Sequence, residues 1–149
     1  TDDELIVAFL DMVENHKMVV ENSGLLTVAA LKHLDVKNKK IVSVLSGGNM
    51  DVITMSSVVQ FGLIQRDRIF TVSVLLPDSP GELTKVSAVI AKMQGNVIKL
   101  EHNQFISTNR SKAVELKITM EAFGTDHKNQ IVKALEESGY KPRLIRANP

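Results

Sequence analysis

A chain of 149 residues is long enough for one ordinary domain or two small ones, and it needs no metal or disulfide to bury a core. Its 44% apolar and 23% charged residues are those of a soluble globular protein, and no unbroken apolar run approaches the roughly 20 residues of a membrane span, so no membrane partner is expected. A net charge of +1 gives no reason to expect nucleic acid, and the lack of cysteine removes disulfides and thiolate metal sites, in keeping with a cytoplasmic setting.

Thr1-Asp2-Asp3-Glu4 reads as an acidic helix start, not the basic start of an export signal, and Leu5, Phe9, Met12 and Val13 recur at helical spacing to about His16. Met18-Val19-Val20 predicts a short buried strand, ending at the turn-prone Glu21-Asn22-Ser23-Gly24. Residues 25–34 predict a second helix with Leu26, Ala29, Ala30 and Leu34 on one face. After a charged linker, Ile41-Val42-Ser43-Val44-Leu45 predicts a strand buried on both faces, stopped by Ser46-Gly47-Gly48-Asn49. Asp51 can cap the next helix, whose Val52, Met55, Val59 and Leu63 keep helical spacing. The first part therefore alternates helix and strand.

The charged Gln65-Arg66-Asp67-Arg68 marks a domain boundary, dividing the chain into 1–66 and 67–149. Residues 69–76 predict a strand rich in β-branched side chains, ended by Pro77-Asp78. In Ser79-Pro80-Gly81-Glu82, Ser79 is the expected N-cap, Pro80 the first helical residue and Glu82 the return arm of a capping box. The helix is expected to bury Leu83, Val86, Val89, Ile90 and Met93, with Gly95 ending it in the left-handed conformation. Residues 96–106 and 113–123 then form a hairpin around a polar turn at 108–112, with Val114, Leu116, Ile118 and Met120 pointing inward. Thr125 or Asp126 caps a last helix bearing Ile131, Ala134 and Leu135; Gly139 ends it, and 140–145 is a final strand. The order βαββαβ makes this half an α+β, ferredoxin-like split βαβ unit with both helices on one face of an antiparallel sheet.

The four histidines, His16, His33, His102 and His127, are dispersed, so no metal site is expected and each reads as a surface or packing residue. Neither a nucleophile elbow nor a thiolate is present, and one Tyr, no Trp and five Phe fall short of the aromatic set with which such sheets stack RNA bases. The turn Asp78-Ser79-Pro80-Gly81 exposes the first amides of a helix beside a glycine, so it could take a carboxylate or be only a well-capped helix. Ser46-Gly47-Gly48-Asn49, at the carboxyl end of an expected strand, could meet a cofactor or be only a structural turn; it is too short for a phosphate loop.

With Leu76-Pro77-Asp78-Ser79-Pro80-Gly81-Glu82-Leu83 at its first turn and Gly95-Asn96-Val97-Ile98 opening its second strand, the segment 69–145 resembles an ACT regulatory domain. The resemblance implies side-by-side pairing of modules into a homo-oligomer and an amino-acid effector at the first turn, hence Asp78, Ser79, Gly81, Glu82 and Leu83 as effector-binding residues. The stretch Val42-Ser43-Val44-Leu45-Ser46-Gly47-Gly48-Asn49-Met50-Asp51, and more loosely Val19-Val20-Glu21-Asn22-Ser23-Gly24, resembles the end of the catalytic domain of pyridoxal-phosphate-dependent serine and threonine dehydratases. These have the tryptophan-synthase β-like fold, also called fold type II. The order of the two parts is that of a threonine ammonia-lyase.

That resemblance implies an α/β fragment of the catalytic domain, with Ser46 and Gly47 belonging to the pyridoxal 5'-phosphate site and the Ser46 hydroxyl facing the pyridine nitrogen. No lysine here has the surroundings of the family's Schiff-base lysine, so the expected role is a C-terminal regulatory portion, inactive alone and not binding the cofactor tightly. Its effector is expected to be isoleucine or valine in a biosynthetic enzyme, or a nucleotide in a catabolic one. The alternative is a dimerisation module without a ligand, in a serine/threonine dehydratase or racemase.

Overall fold

The computed structural model describes residues 1–103 and 114–145, and these divide after Gln65 into two compact units.

In the first unit, α1 (Asp2–Asp11) runs into a single π-helical turn, Met12–His16, closed by Lys17 in the left-handed region. A 3-10 turn (Asn22–Leu25), the short α2 (Leu26–Ala30), a second 3-10 turn (Leu31–His33) and α3 (Val52–Gln65) follow. Ala8, Phe9 and Met12 pack with Val20, Leu25, Ala29 and Val58 into one core. Helix α3 begins where the sequence says it should: Asp51 Oδ1 accepts the amides of Ile53 and Thr54, both at 3.0 Å, and its other oxygen accepts the Thr54 hydroxyl at 2.5 Å. Gly62 lets this helix approach α1, since a β-carbon there would meet Leu10 Cδ2 at 3.3 Å.

Neither strand expected in this unit forms, so its described residues are helical and irregular, not α/β. A parallel strand draws its backbone hydrogen bonds from neighbours on both edges, and the described residues supply no pairing strand for 41–45, whose Val44 carbonyl accepts instead from the Thr27 hydroxyl at 3.2 Å. Val42 is 89% and Val44 71% exposed, while Met18 and Val19 stand half-exposed beside a buried Val20. The apolar patterns are there, but among the described residues the layers that would cover them are not.

The second unit forms a four-stranded antiparallel sheet of order β2-β3-β1-β4, with β1 (Ile69–Leu76), β2 (Asn96–Asn103), β3 (Val114–Glu121) and β4 (Arg143–Ile145). Helices α4 (Glu82–Lys92) and α5 (Thr125–Glu137) complete the βαββαβ order. Val72 pairs with Ile118 and Val74 with Leu116, so period-two alternation places these side chains on one face. There they join Val86 and Ile90 of α4 and Ile131 and Leu135 of α5 in a single core. The opposite face is polar: Thr71 and Thr119 share a hydroxyl hydrogen bond of 2.9 Å, and Ser73 donates to Glu115 at 2.6 Å.

Several ends differ from expectation. Gly81, not Ser79, is the N-cap of α4, and Glu82 is its first residue, so no capping box closes there. Leu83 is 42% exposed, because starting the helix later turns its first residues away from the core. Gln94 carries the left-handed conformation expected of Gly95, whose missing side chain instead makes room for Ile90 Cγ2, 2.8 Å from where a β-carbon would lie. Gly124, rather than Thr125 or Asp126, precedes α5 as its N-cap. The turn expected at 108–112 and the inner ends of its flanking strands lie outside the described residues.

Candidate ligand-binding site

Strand β1 ends at a proline, which cannot donate to a neighbouring strand, and the chain leaves the sheet through Pro77-Asp78-Ser79-Pro80-Gly81. The Ser79 amide bonds the Pro77 carbonyl at 2.9 Å, and Gly81 (φ 90°) then swings the backbone into α4, whose first intrahelical bond runs from Lys85 N to Gly81 O at 3.1 Å. A non-glycine residue would be strained at that φ. With a glycine as cap, no side-chain oxygen covers the first amides of α4; that of Glu82 reaches the Ser79 carbonyl at 3.5 Å, which leaves those of Leu83 and Thr84 as donors.

These residues surround a cavity of about 270 Å³, which brings together all five residues expected at the first turn, Asp78, Ser79, Gly81, Glu82 and Leu83, with Leu76, Pro77, Pro80 and His102. Its walls divide by chemistry. Leu76, the two prolines and the half-exposed Leu83 are apolar, while the helix amides are donors. Glu82 is engaged by Lys85 at 2.7 Å, and that hydrogen bond raises the Lys85 pKa above its ordinary value. The charge of Glu82 is thus compensated, leaving Asp78 to meet a cation.

Reading the sequence alone missed His102 as part of this site. Strands β1 and β2 are parallel, both antiparallel to β3 between them, so their carboxyl ends lie at one end of the sheet. That relation follows from βαβ connectivity once it is assumed, and it was the one signal available.

At the opposite end of the sheet a wider cavity of about 630 Å³ opens between the end of α4 (Lys92, Met93, Gln94) and the start of α5, from Phe123 to His127 with Gln130. His127 is committed there. Its Nδ1 accepts the Phe123 amide at 3.1 Å, so Nε2 carries the proton and donates to the Met93 carbonyl at 2.6 Å. The Phe123 ring stacks on it at 4.8 Å. Asp67 ties the same end together, accepting from Thr125 at 2.8 Å and pairing with Lys128 at 2.8 Å. Burial works against its charge, but the Lys128 and Thr125 contacts prevail and hold its pKa below the ordinary value.

In the first unit the two segments that carry the dehydratase resemblance do meet. The Glu21 amide donates to Gly47 O at 3.2 Å, and the Glu21 carboxylate accepts the Ser23 hydroxyl at 2.6 Å and the Asn49 amide at 3.2 Å. A β-carbon on Gly24 would strike the Ser46 carbonyl oxygen, and one on Gly47 the Glu21 carboxylate. Ser46 and Gly47 are themselves exposed, on a turn braced by Glu21. They make at most one wall of a cofactor site, and the described residues do not by themselves fit an enclosed pyridoxal-phosphate pocket.

Among the described residues no three His, Asp or Glu side chains come together as a metal site, and no helix is long and apolar enough to cross a membrane.

No protein-family model matches the chain. It is similar to the L-threonine ammonia-lyase of Thermotoga maritima, 30% identical over 145 residues that make up 97% of this chain and 36% of that protein. The L-threonine ammonia-lyase of Geobacter sulfurreducens is 33% identical over 147 residues, 97% of this chain and 37% of that protein. The chain thus spans little more than a third of the length of these relatives. Among solved structures, the regulatory subunit of aspartate kinase from Thermus thermophilus is similar over 52% of this chain and 49% of that one, at 18% identity and a TM-score of 0.41. The resemblance to threonine ammonia-lyases expected from the two motif stretches is borne out over nearly the whole chain.

Proposed function

We propose that this chain is the C-terminal regulatory portion of a pyridoxal-phosphate-dependent threonine ammonia-lyase, the enzyme class that converts L-threonine to 2-oxobutanoate and ammonia. Residues 67–149 form its ACT module, which binds an amino-acid effector at the β1–α4 turn. Residues 1–66 are the end of its catalytic domain. The carrying observation is the cavity at that turn, which gathers Asp78, Ser79, Gly81, Glu82 and Leu83 around apolar walls, helix amides and a carboxylate.

The cavity favours an amino acid over the nucleotide alternative. Its volume of about 270 Å³ falls just below the ~300–1,000 Å³ of pockets that take drug-sized ligands. Leu76 and Leu83 suit an aliphatic side chain such as that of isoleucine or valine, Asp78 an ammonium, and the helix amides a carboxylate.

In this reading the exposed Val42 and Val44 are covered by sheet neighbours from the rest of the enzyme, which also supply the Schiff-base lysine and phosphate cradle, and the chain alone is inactive. Ser46 and Gly47 would contribute one wall of the pyridoxal-phosphate site, where the bound ring would supply an electron sink for the elimination. In the same reading the enzyme is cytoplasmic, which the lack of cysteine suits.

Edge strand β2 leaves Val97, Ile98 and Leu100 partly exposed, which supports side-by-side pairing into a homo-oligomer and keeps alive a second reading, a dimerisation module without a ligand. Titration calorimetry on the 149-residue chain with L-isoleucine, L-valine, L-threonine and L-serine, and with AMP as the nucleotide, separates the two. Saturable binding of isoleucine or valine but not of AMP is expected. A folded, self-associated chain that binds no amino acid at millimolar concentration would leave only the dimerisation reading.

A further inference from the structure

Of the nine described residues around the small cavity, eight come from one continuous stretch, 76–83; the ninth, His102, comes from β2. His102 stands opposite Leu116, and Leu116 opposite Val74, so all three project from the helix-covered face of the sheet. Leu116 and Val74 are fully buried there, whereas His102, on the edge strand beside the start of α4, is exposed to the cavity.

Of the other polar side chains around it, the Glu82 carboxylate is already engaged by Lys85, the Asp78 carboxylate is an acceptor, and the Ser79 hydroxyl sits on the same turn as the α4 amides. The first amides of α4 donate, but from one side only. Among the described residues the imidazole of His102 is the single nitrogen-bearing side chain around the cavity, and it makes no hydrogen bond to any of them.

We propose that His102 is a ligand-contacting, specificity-determining residue. Its ring N–H donates to one oxygen of a bound amino acid's α-carboxylate while the first amides of α4 take the other. The ammonium then lies against Asp78 and the side chain against Leu76 and Leu83. The site so completed requires a free carboxylate and rejects the corresponding amide. This inference rests on the amino-acid reading of the cavity, and its test keeps the two apart.

The test is calorimetry on the full chain and its His102→Ala and His102→Gln variants, with L-isoleucine and L-isoleucinamide as probes, or L-valine and its amide if isoleucine does not bind. Because His102 is exposed, both variants should melt within a few degrees of the parent. His102→Ala should weaken the amino acid about tenfold and the amide hardly at all, collapsing the preference for the carboxylate. His102→Gln, which keeps an N–H donor, should retain most of that preference.

If His102→Ala keeps the full carboxylate preference, whether or not both affinities fall together, His102 is not the carboxylate contact and the proposal fails while the site stands. If the parent chain binds no amino acid, the amino-acid reading fails and His102 with it.

Discussion

Gly81 and Asp51 both sit at helix starts, but they act in different ways. Gly81 holds φ 90° with open space around its α-carbon, so Gly81→Ala meets no clash and suffers only the backbone strain. Its expected effects are a loss of about 1 kcal/mol in denaturant unfolding and weaker effector binding, because the amides of α4 would shift. Asp51 works through its charge. Its carboxyl pKa is lowered by the Thr54 hydroxyl and then by backbone amides of α3, so its contribution to stability is present above its unfolded value of about 3.8 and is lost as pH falls through the lower folded value. Asp51→Ala should therefore lower the melting temperature at neutral pH, and the gap from the parent chain should narrow only in acid below that value, as followed by circular dichroism. An unchanged gap down to strong acid would contradict this capping role.

Which elements were legible in the sequence follows from where their partners lie. Helices α4 and α5 and strands β1 and β3 bury their apolar stripes against one another inside a single unit, so periodicity identified them, and Val86, Ile90, Ile131 and Leu135 are buried as expected. Leu135→Ala should cost about 3 kcal/mol in urea unfolding, since that side chain is fully enclosed. The run 41–45 has the same apolar quality as β1, but a strand is defined by its neighbours, and periodicity does not say whether they are present. Helix starts were misread because Ser79-Pro80-Gly81 satisfies a capping pattern locally while the cavity turn places the left-handed Gly81 two residues further on. His102 was read as an ordinary surface histidine because its place in the site depends on β2 lying parallel to β1, one strand away across β3. The clasp between residues 21–24 and 46–49 was likewise hidden, being a contact of two turns distant in sequence. It predicts that Gly24→Ala, which drives a β-carbon into the Ser46 carbonyl, destabilises by roughly 2 kcal/mol or more in the same urea unfolding.

At the scale of the whole molecule, the proposed account is of an amino-acid sensor appended to a lyase; the relatives are L-threonine ammonia-lyases, and this chain spans little more than a third of their length. Coupling to catalysis then requires that the effector bind one arrangement of the assembled enzyme more tightly than another, and paired modules, each with its own cavity, would supply such an element. Effector binding should accordingly shift the self-association of the chain in sedimentation velocity, while Gly81→Ala should weaken that response without abolishing assembly. The central claim is that the β1–α4 turn with His102 is the effector site. It is tested most directly by amide chemical-shift mapping of the 149-residue chain titrated with L-isoleucine and L-valine. The account predicts saturable shifts concentrated on 76–83 and at His102, with the 630 Å³ cavity near Phe123 and His127 unaffected. Shifts confined to that second cavity, or no shifts at millimolar ligand, would contradict it.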